Sequence, residues 1–373
     1  MSVMGIIFAN IYDSSLGELT NKRTMASLPF GGRYRQIDFT LSNLANAGIR
    51  RIGILSRYNY QSLMAHIGSG EEWNLELQDG GLEYLTPYSL SDFNPTYRGK
   101  LEALNAVKEY MNYGSEDDYV VLFDSSVLCN IDLNKVVDNH IASGRDITVV
   151  TKEGIANSSK LLDLCFKLDD KGEIADIAVD YVADSDYLAS TGIFVISKKL
   201  LMHNVQECVA RNLYRFERDF LLRQYLAGDL SINIYQFDGV ALYNESTEEY
   251  FHNNLALIDD KVWYDLFQKE RPIYTKVRDR VPSYYGEDAH LPNCVIADGC
   301  VLEGTAINSV LFRQVTIGKG SVVESSLIMN DTVVGENCEL KYVILDKDVT
   351  VRDGSKLIGT PTSPIIIQRG ETV

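Results

Sequence analysis

Ile317-Gly-Lys-Gly-Ser-Val322 is one of four short stretches that decide the fold of the C-terminal part of this chain. The others are Ile296-Ala-Asp-Gly-Cys-Val301, Val334-Gly-Glu-Asn-Cys-Glu339 and Val351-Arg-Asp-Gly-Ser-Lys356. They approximate an apolar–small–x–x–small–x unit, and their starts lie 21, 17 and 17 residues apart. This is close to three hexads per turn, the signature of a parallel β-helix with aliphatic residues inside and small residues at the corners. An irregular β-sandwich would share the short strands but not four near-aligned repeats. Hexapeptide β-helices that transfer acyl groups need a general base, usually histidine, between coils. Residues 291–373 contain none, so a structural or assembly role is expected there.

Upstream the pattern changes. Pro272, Pro282 and an Asp/Glu/Gly-rich tract before His290 break periodicity, which marks 261–290 as a linker between domains at 1–260 and 291–373. Within 1–260, β-branched runs at 4–9, 51–55, 119–123, 147–151, 192–196 and 231–236 alternate with helical patterns at 38–47, 60–67, 102–112, 133–142 and 247–258. Such alternation predicts a Rossmann-like α/β domain, a mostly parallel sheet covered by helices. Ligands of such sheets sit at the carboxyl ends of strands, which puts the loop Asn10–Gly17 at the mouth. A phosphate-cradling loop presents bare glycine N–H groups. This one has a single glycine, no arginine or lysine, and Asp13.

Bulk composition narrows the function. A net charge of −17 argues against nucleic acid and anionic membrane surfaces as partners. No basic start with an apolar run, and no membrane-spanning apolar stretch, is evident. The six cysteines lack CxxC or CxxH spacing, which points to free thiols in a reducing cytoplasm.

Pro29-Phe-Gly-Gly-Arg-Tyr-Arg-Gln-Ile-Asp-Phe-Thr-Leu-Ser-Asn43, then Asn46-Ala-Gly-Ile49 and Tyr60-Gln-Ser-Leu-Met-Ala-His-Ile67, followed by the β-helix, resemble bacterial ADP-glucose pyrophosphorylase (glucose-1-phosphate adenylyltransferase) along essentially the whole chain. The resemblance implies a nucleotidyltransferase domain followed by a left-handed β-helix, and tetramers acting in glycogen or starch synthesis. Adenylyl transfer needs an arginine on the triphosphate loop, a lysine near the α-phosphate and two aspartates for Mg²⁺. Laid on the family's motifs, those positions are Ser15, Met25, Ser126 and Tyr243. Losing one charge-stabilising donor costs roughly 3 kcal/mol; losing all four implies no useful turnover. Substrate-pocket remnants are Gly99, in Gly99-Lys-Leu-Glu-Ala-Leu104, with Ser190 and Gly192, in Ser190-Thr-Gly-Ile-Phe194, and Asp219.

Between residues 22 and 57, seven basic residues stand against one acid, Asp38. The family's site for phosphorylated effectors matches Lys22, Arg23 and Arg35, and Arg33 and His66 are further candidates. The competing account is that these arginines pair with acids such as Asp38, and that His66 is a packed surface histidine. The resemblance therefore implies a regulatory, non-catalytic type of subunit with no cofactor of its own, in the cytoplasm. Its expected partner is a catalytic paralogue that needs Mg²⁺, in a hetero- or homotetramer. Alternatives are a working enzyme with Asp124, Asp132 or Glu245 as substitute metal ligands, and a stand-alone sensor of sugar phosphates or nucleotides.

Overall fold

A computed structural model describes residues 2–10, 13–77, 80–86, 97–112 and 118–373; Ile11 and Tyr12 of the first loop lie outside them. The chain divides into two compact units. The first comprises Met1–Ile11, Thr40–Tyr60 and Gly68–Ala241; the second comprises Tyr12–Phe39, Gln61–Ile67 and Leu242–Val373.

In the first unit, nine described strands form one sheet: β1 (Val3–Phe8), β2 (Arg51–Leu55), β3 (Gly81–Leu85), β4 (Tyr119–Asp124), β5 (Ile147–Lys152), β6 (Leu161–Leu168), β7 (Ile174–Val182), β8 (Leu188–Ser197) and β9 (Ile232–Gln236). The order runs β7-β6-β8-β4-β1-β2-β3, with β5 on β8 and β9 on β5. The strands β3, β2, β1 and β4 are mutually parallel. Buried on both faces, β1, β2 and β4 read as apolar runs such as Ile6-Ile7-Phe8 and Val120-Val121-Leu122, whereas the edge strand β3 is only partly buried. β8 runs antiparallel to β4, β5 and β6, so the sheet is more mixed than the alternation implies. The hairpin β6–β7 was not marked by an apolar run because several of its residues, such as Asp176 and Tyr181, face solvent.

Helices α1 (Gln36–Asn46), α2 (Gln61–Ile67), α3 (Lys100–Ala106) and α4 (Leu133–Ser143) fall where helical periodicity places them. The Asp132 carboxylate caps α4 by accepting the Lys135 N–H, and Gly144 ends it in the left-handed conformation.

The second unit contains the parallel β-helix, whose inward side chains stack as three ladders. One is Leu302, Ile317, Val334 and Val351; another is Ile296, Leu311, Ile328, Leu345 and Ile367; the third is Ala306, Val323, Leu340 and Leu357. The hexad at Ile296 thus lies on a different face from those at Ile317, Val334 and Val351, which explains its longer spacing of 21. Glycine at one corner is required by close approach: a Cβ on Gly318 would lie 2.6 Å from the Gly335 carbonyl oxygen. The segment Tyr12–Phe39 joins this unit through apolar side chains, including buried Met25, Leu28 and Phe30. Tyr34 stacks on Phe267 at 5.0 Å, and the Tyr250 hydroxyl donates to the Pro29 carbonyl.

Candidate functional site

In the first unit the carboxyl end of β4 delivers Asp124, and the first residue of α3 is Lys100. The Lys100 Nζ donates to Asp124 Oδ2 at 2.6 Å and to Glu217 Oε1 at 2.5 Å. It is only 10% exposed and lies 5.5 Å from the Phe8 ring. Burial opposes its charge, but Asp124 and Glu217 outweigh burial and push Lys100 above the usual lysine range. One ammonium serves two carboxylates, and burial lifts the Asp124 carboxyl to about 7 against the pull of Lys100. Asp124 Oδ1 is buried and has no hydrogen-bond partner among the described residues.

The expected pocket remnants surround this triad but support backbone. Asp219 Oδ2 accepts the N–H groups of Tyr214 and Arg215, at 2.8 and 2.9 Å. Gly99 lets the Tyr214 carbonyl approach, since a Cβ there would sit 2.2 Å from its oxygen. Gly192, at φ +72°, leaves room for Asp124, because a Cβ would meet Oδ2 at 2.5 Å. Ser190 Oγ accepts the Gly192 N–H at 3.1 Å. Ser126 is buried, and its hydroxyl is no carboxylate.

In the second unit, Met25 and Tyr243 are buried and Ser15 is exposed. Asp13 is buried, and its Oδ1 accepts the Met25 N–H at 2.7 Å. Ser126 and Tyr243, where the resemblance leads one to expect metal aspartates, carry no carboxylate, which does not fit a catalytic Mg²⁺ there. Asp132 is engaged as a helix cap and Asp124 by Lys100. Among the described residues no group of three His, Cys, Asp or Glu is arranged to hold a metal.

The second unit also holds a cavity of about 200 Å³ lined by six cations: Arg33, Arg35, Arg278, Arg313, Lys347 and Arg369. Asp331 and Asp348 are the carboxylates in its lining, and Ser62 and His66 complete one side. Arg369 pairs with Asp348 at 3.0 Å, and Arg313 Nε reaches Asp298 at 3.2 Å. The Arg35 guanidinium donates to the Ser62 carbonyl at 2.7 Å. Burial lowers Arg35 to about 10, with Asp38 opposing and Arg23, Arg278 and Arg369 adding; it remains a cation at neutral pH. Lys347 is held well below the usual lysine range by burial, then by Arg35 and Arg23. Mutually repelling cations with too few acids present a site that an anion would relieve.

Three of the five expected effector residues, Arg33, Arg35 and His66, line this cavity. His66 is not on the surface: it is 5% exposed, with Nε2 at 2.6 Å from Asp38 Oδ1. Burial lowers its pKa, against the pull of Asp38. Arg23 is instead buried in an ion pair with Asp346, and Lys22 is exposed outside the lining. The sequence reading missed Arg278, which stands in Lys276-Val-Arg-Asp-Arg280, and Arg313, Lys347 and Arg369, each without another basic residue within two positions. For Arg313, Lys347 and Arg369, placement at β-helix turns was the available signal.

A mixed α/β sheet with a parallel core, followed by a hexapeptide β-helix, is the architecture of a nucleotidyltransferase-type protein. The description "Nucleotidyl transferase" matches residues 5–207, and "GlmU-like, C-terminal hexapeptide" matches 280–362. "Glycogen biosynthesis protein GlgD" of Bacillus subtilis (strain 168) is 31% identical over 377 residues, covering 99% of this chain and 96% of that protein. The GlgD protein of Geobacillus stearothermophilus is 35% identical over 370 residues, covering 99% and 96%. A glucose-1-phosphate adenylyltransferase of Bacillus thuringiensis (strain Al Hakam) is 30% identical over 357 residues, covering 94% and 93%. The chain belongs to the nucleotidyl transferase family, within the group formed by GlgD glycogen biosynthesis proteins and glucose-1-phosphate adenylyltransferases. No helix among the described residues is long and apolar enough to cross a membrane.

Proposed function

We propose that this chain is a regulatory, catalytically impaired subunit of glucose-1-phosphate adenylyltransferase in glycogen biosynthesis. It assembles in the cytoplasm with a catalytic paralogue as a heterotetramer, and the paralogue supplies the Mg²⁺ site and the turnover. The observation that carries this reading is the simultaneous replacement of four charged positions by Ser15, Met25, Ser126 and Tyr243. Retention of a six-cation cavity beside that loss supports a role in sensing a small phosphorylated effector. Effector binding there shifts the partner between two states, with coupling typically about 1–3 kcal/mol.

Co-expression with a tagged catalytic paralogue tests assembly. The expected result is a stable complex of both chains, eluting as a tetramer. Failure to co-purify, combined with tight calorimetric binding of fructose phosphates, ATP or ADP-glucose by this chain alone, would favour a stand-alone sensor instead.

A further inference from the structure

The triad of Lys100, Asp124 and Glu217 does something that the regulatory reading does not require. Its three side chains come from separate segments: the start of α3, the end of β4, and Phe216–Leu222. They are 10%, 6% and 14% exposed. Structural ion pairs at this depth are costly unless every polar atom is satisfied, and here Asp124 Oδ1 is left without a partner among the described residues. The backbone is shaped around the carboxylate, since any side chain at Gly192 would meet Asp124 Oδ2.

We propose that Lys100 is a built-in cation that keeps a divalent-cation site closed, with Asp124 and Glu217 as the ligands. The Lys100 nitrogen marks a point within 2.6 Å of a carboxylate oxygen from each residue. Mg²⁺ or Ca²⁺ takes such oxygens at about 2.1–2.5 Å and often uses only one or two carboxylates, with water completing the shell. A divalent ion at that point would need adjustments of only a few tenths of an ångström. These ligands differ from the family's metal positions, which hold Ser126 and Tyr243. The wild-type triad excludes a metal because two like cations do not share one point. A neutral side chain at 100 leaves two buried carboxylates that favour either a proton or a cation.

The test is Mn²⁺ binding, read by electron paramagnetic resonance, for wild type, Lys100→Gln, and Lys100→Gln/Asp124→Asn. The glutamine amide still donates a hydrogen bond, which favours folding. The proposal expects Lys100→Gln to bind Mn²⁺ about tenfold or more tighter than wild type, and the double variant to lose that gain. Three results would overturn it: wild type binding as tightly as Lys100→Gln, a folded Lys100→Gln with no bound Mn²⁺, or a double variant that binds as well as the single. Should Lys100→Gln not fold in EDTA, refolding yields with MnCl₂ and with EDTA are compared; rescue by Mn²⁺ supports the proposal and equal yields overturn it. Every readout is taken on this chain alone, so the outcome is independent of whether a partner subunit exists.

Discussion

The Arg23 guanidinium is ion-paired with the Asp346 carboxylate, and both side chains are buried, at 7% and 4% exposure. The two residues are 323 positions apart in the chain, yet both belong to the second unit. Asp346 also accepts the Lys347 N–H at 2.7 Å, so the pair fixes the backbone that presents Lys347 to the basic cavity. An arginine that sequence similarity places among effector contacts is here a tie between an N-terminal segment and a β-helix turn.

Removing one partner of a buried pair leaves an uncompensated charge and costs about 3–5 kcal/mol. Arg23→Met is therefore expected to lower the unfolding temperature strongly, and Arg23→Met/Asp346→Leu to recover much of the loss. Lys22→Ala, at an exposed position, should change stability by about 0.5 kcal/mol or less. Calorimetric unfolding checks all three; equal effects of the two single substitutions would contradict the assignment.

Lys347 gives the cavity a distinct signature. Burial and neighbouring cations hold it well below the usual lysine range, and a bound anion reverses that shift. Binding of inorganic phosphate or a fructose phosphate should take up protons and weaken as pH rises. Lys347→Met should weaken binding by about 1.5–3 kcal/mol, the contribution of a hydrogen bond to a charged group, and reduce the proton uptake. Without ligand the same variant should unfold at a higher temperature, because a buried amine whose protonation burial, Arg35 and Arg23 disfavour is gone. Titration calorimetry in buffers of different ionisation enthalpy measures the affinity and the proton uptake. His66 in the same lining also contributes to the uptake, so the variant should reduce it and not remove it. Unchanged affinity would remove Lys347 from the site.

The pH dependence of stability follows from His66. Its folded pKa is lowered by burial, so the unfolded chain binds the proton more readily. The neutral imidazole contributes its stability above the ordinary histidine value, and that contribution is lost as pH falls below about 6.5 toward the folded pKa. Unfolding temperatures between pH 7.5 and 5 should fall more steeply for wild type than for His66→Gln. Parallel profiles would show that His66 titrates alike in both states.

The β-helix was legible because a hexad repeat is a one-dimensional pattern: each inward aliphatic recurs once per coil. What the repeat concealed was register, since Ile296 opens a different ladder from Ile317. In the site, Arg33 and Arg35 were visible as part of a local run with few acids, and His66 only as a separate candidate. Lys347 was hidden between Asp346 and Asp348, and Arg369 sits one residue from the Gly370-Glu371 turn; neither reads as basic until coils stack. Lys100 appeared only as a departure from a familiar motif. Its union with Asp124 and Glu217 depends on three segments that sequence spacing does not connect.

The central claim is that this chain regulates adenylyl transfer without performing it. The measurement that tests it most directly is ADP-glucose formation from ATP and glucose 1-phosphate with Mg²⁺, by this chain, by its catalytic paralogue, and by the two mixed. The account predicts no turnover by this chain alone and an altered rate or effector response in the mixture. Turnover by the isolated chain at ordinary enzyme rates, on the order of 1–10³ s⁻¹, would contradict it. So would a mixture indistinguishable from the paralogue alone.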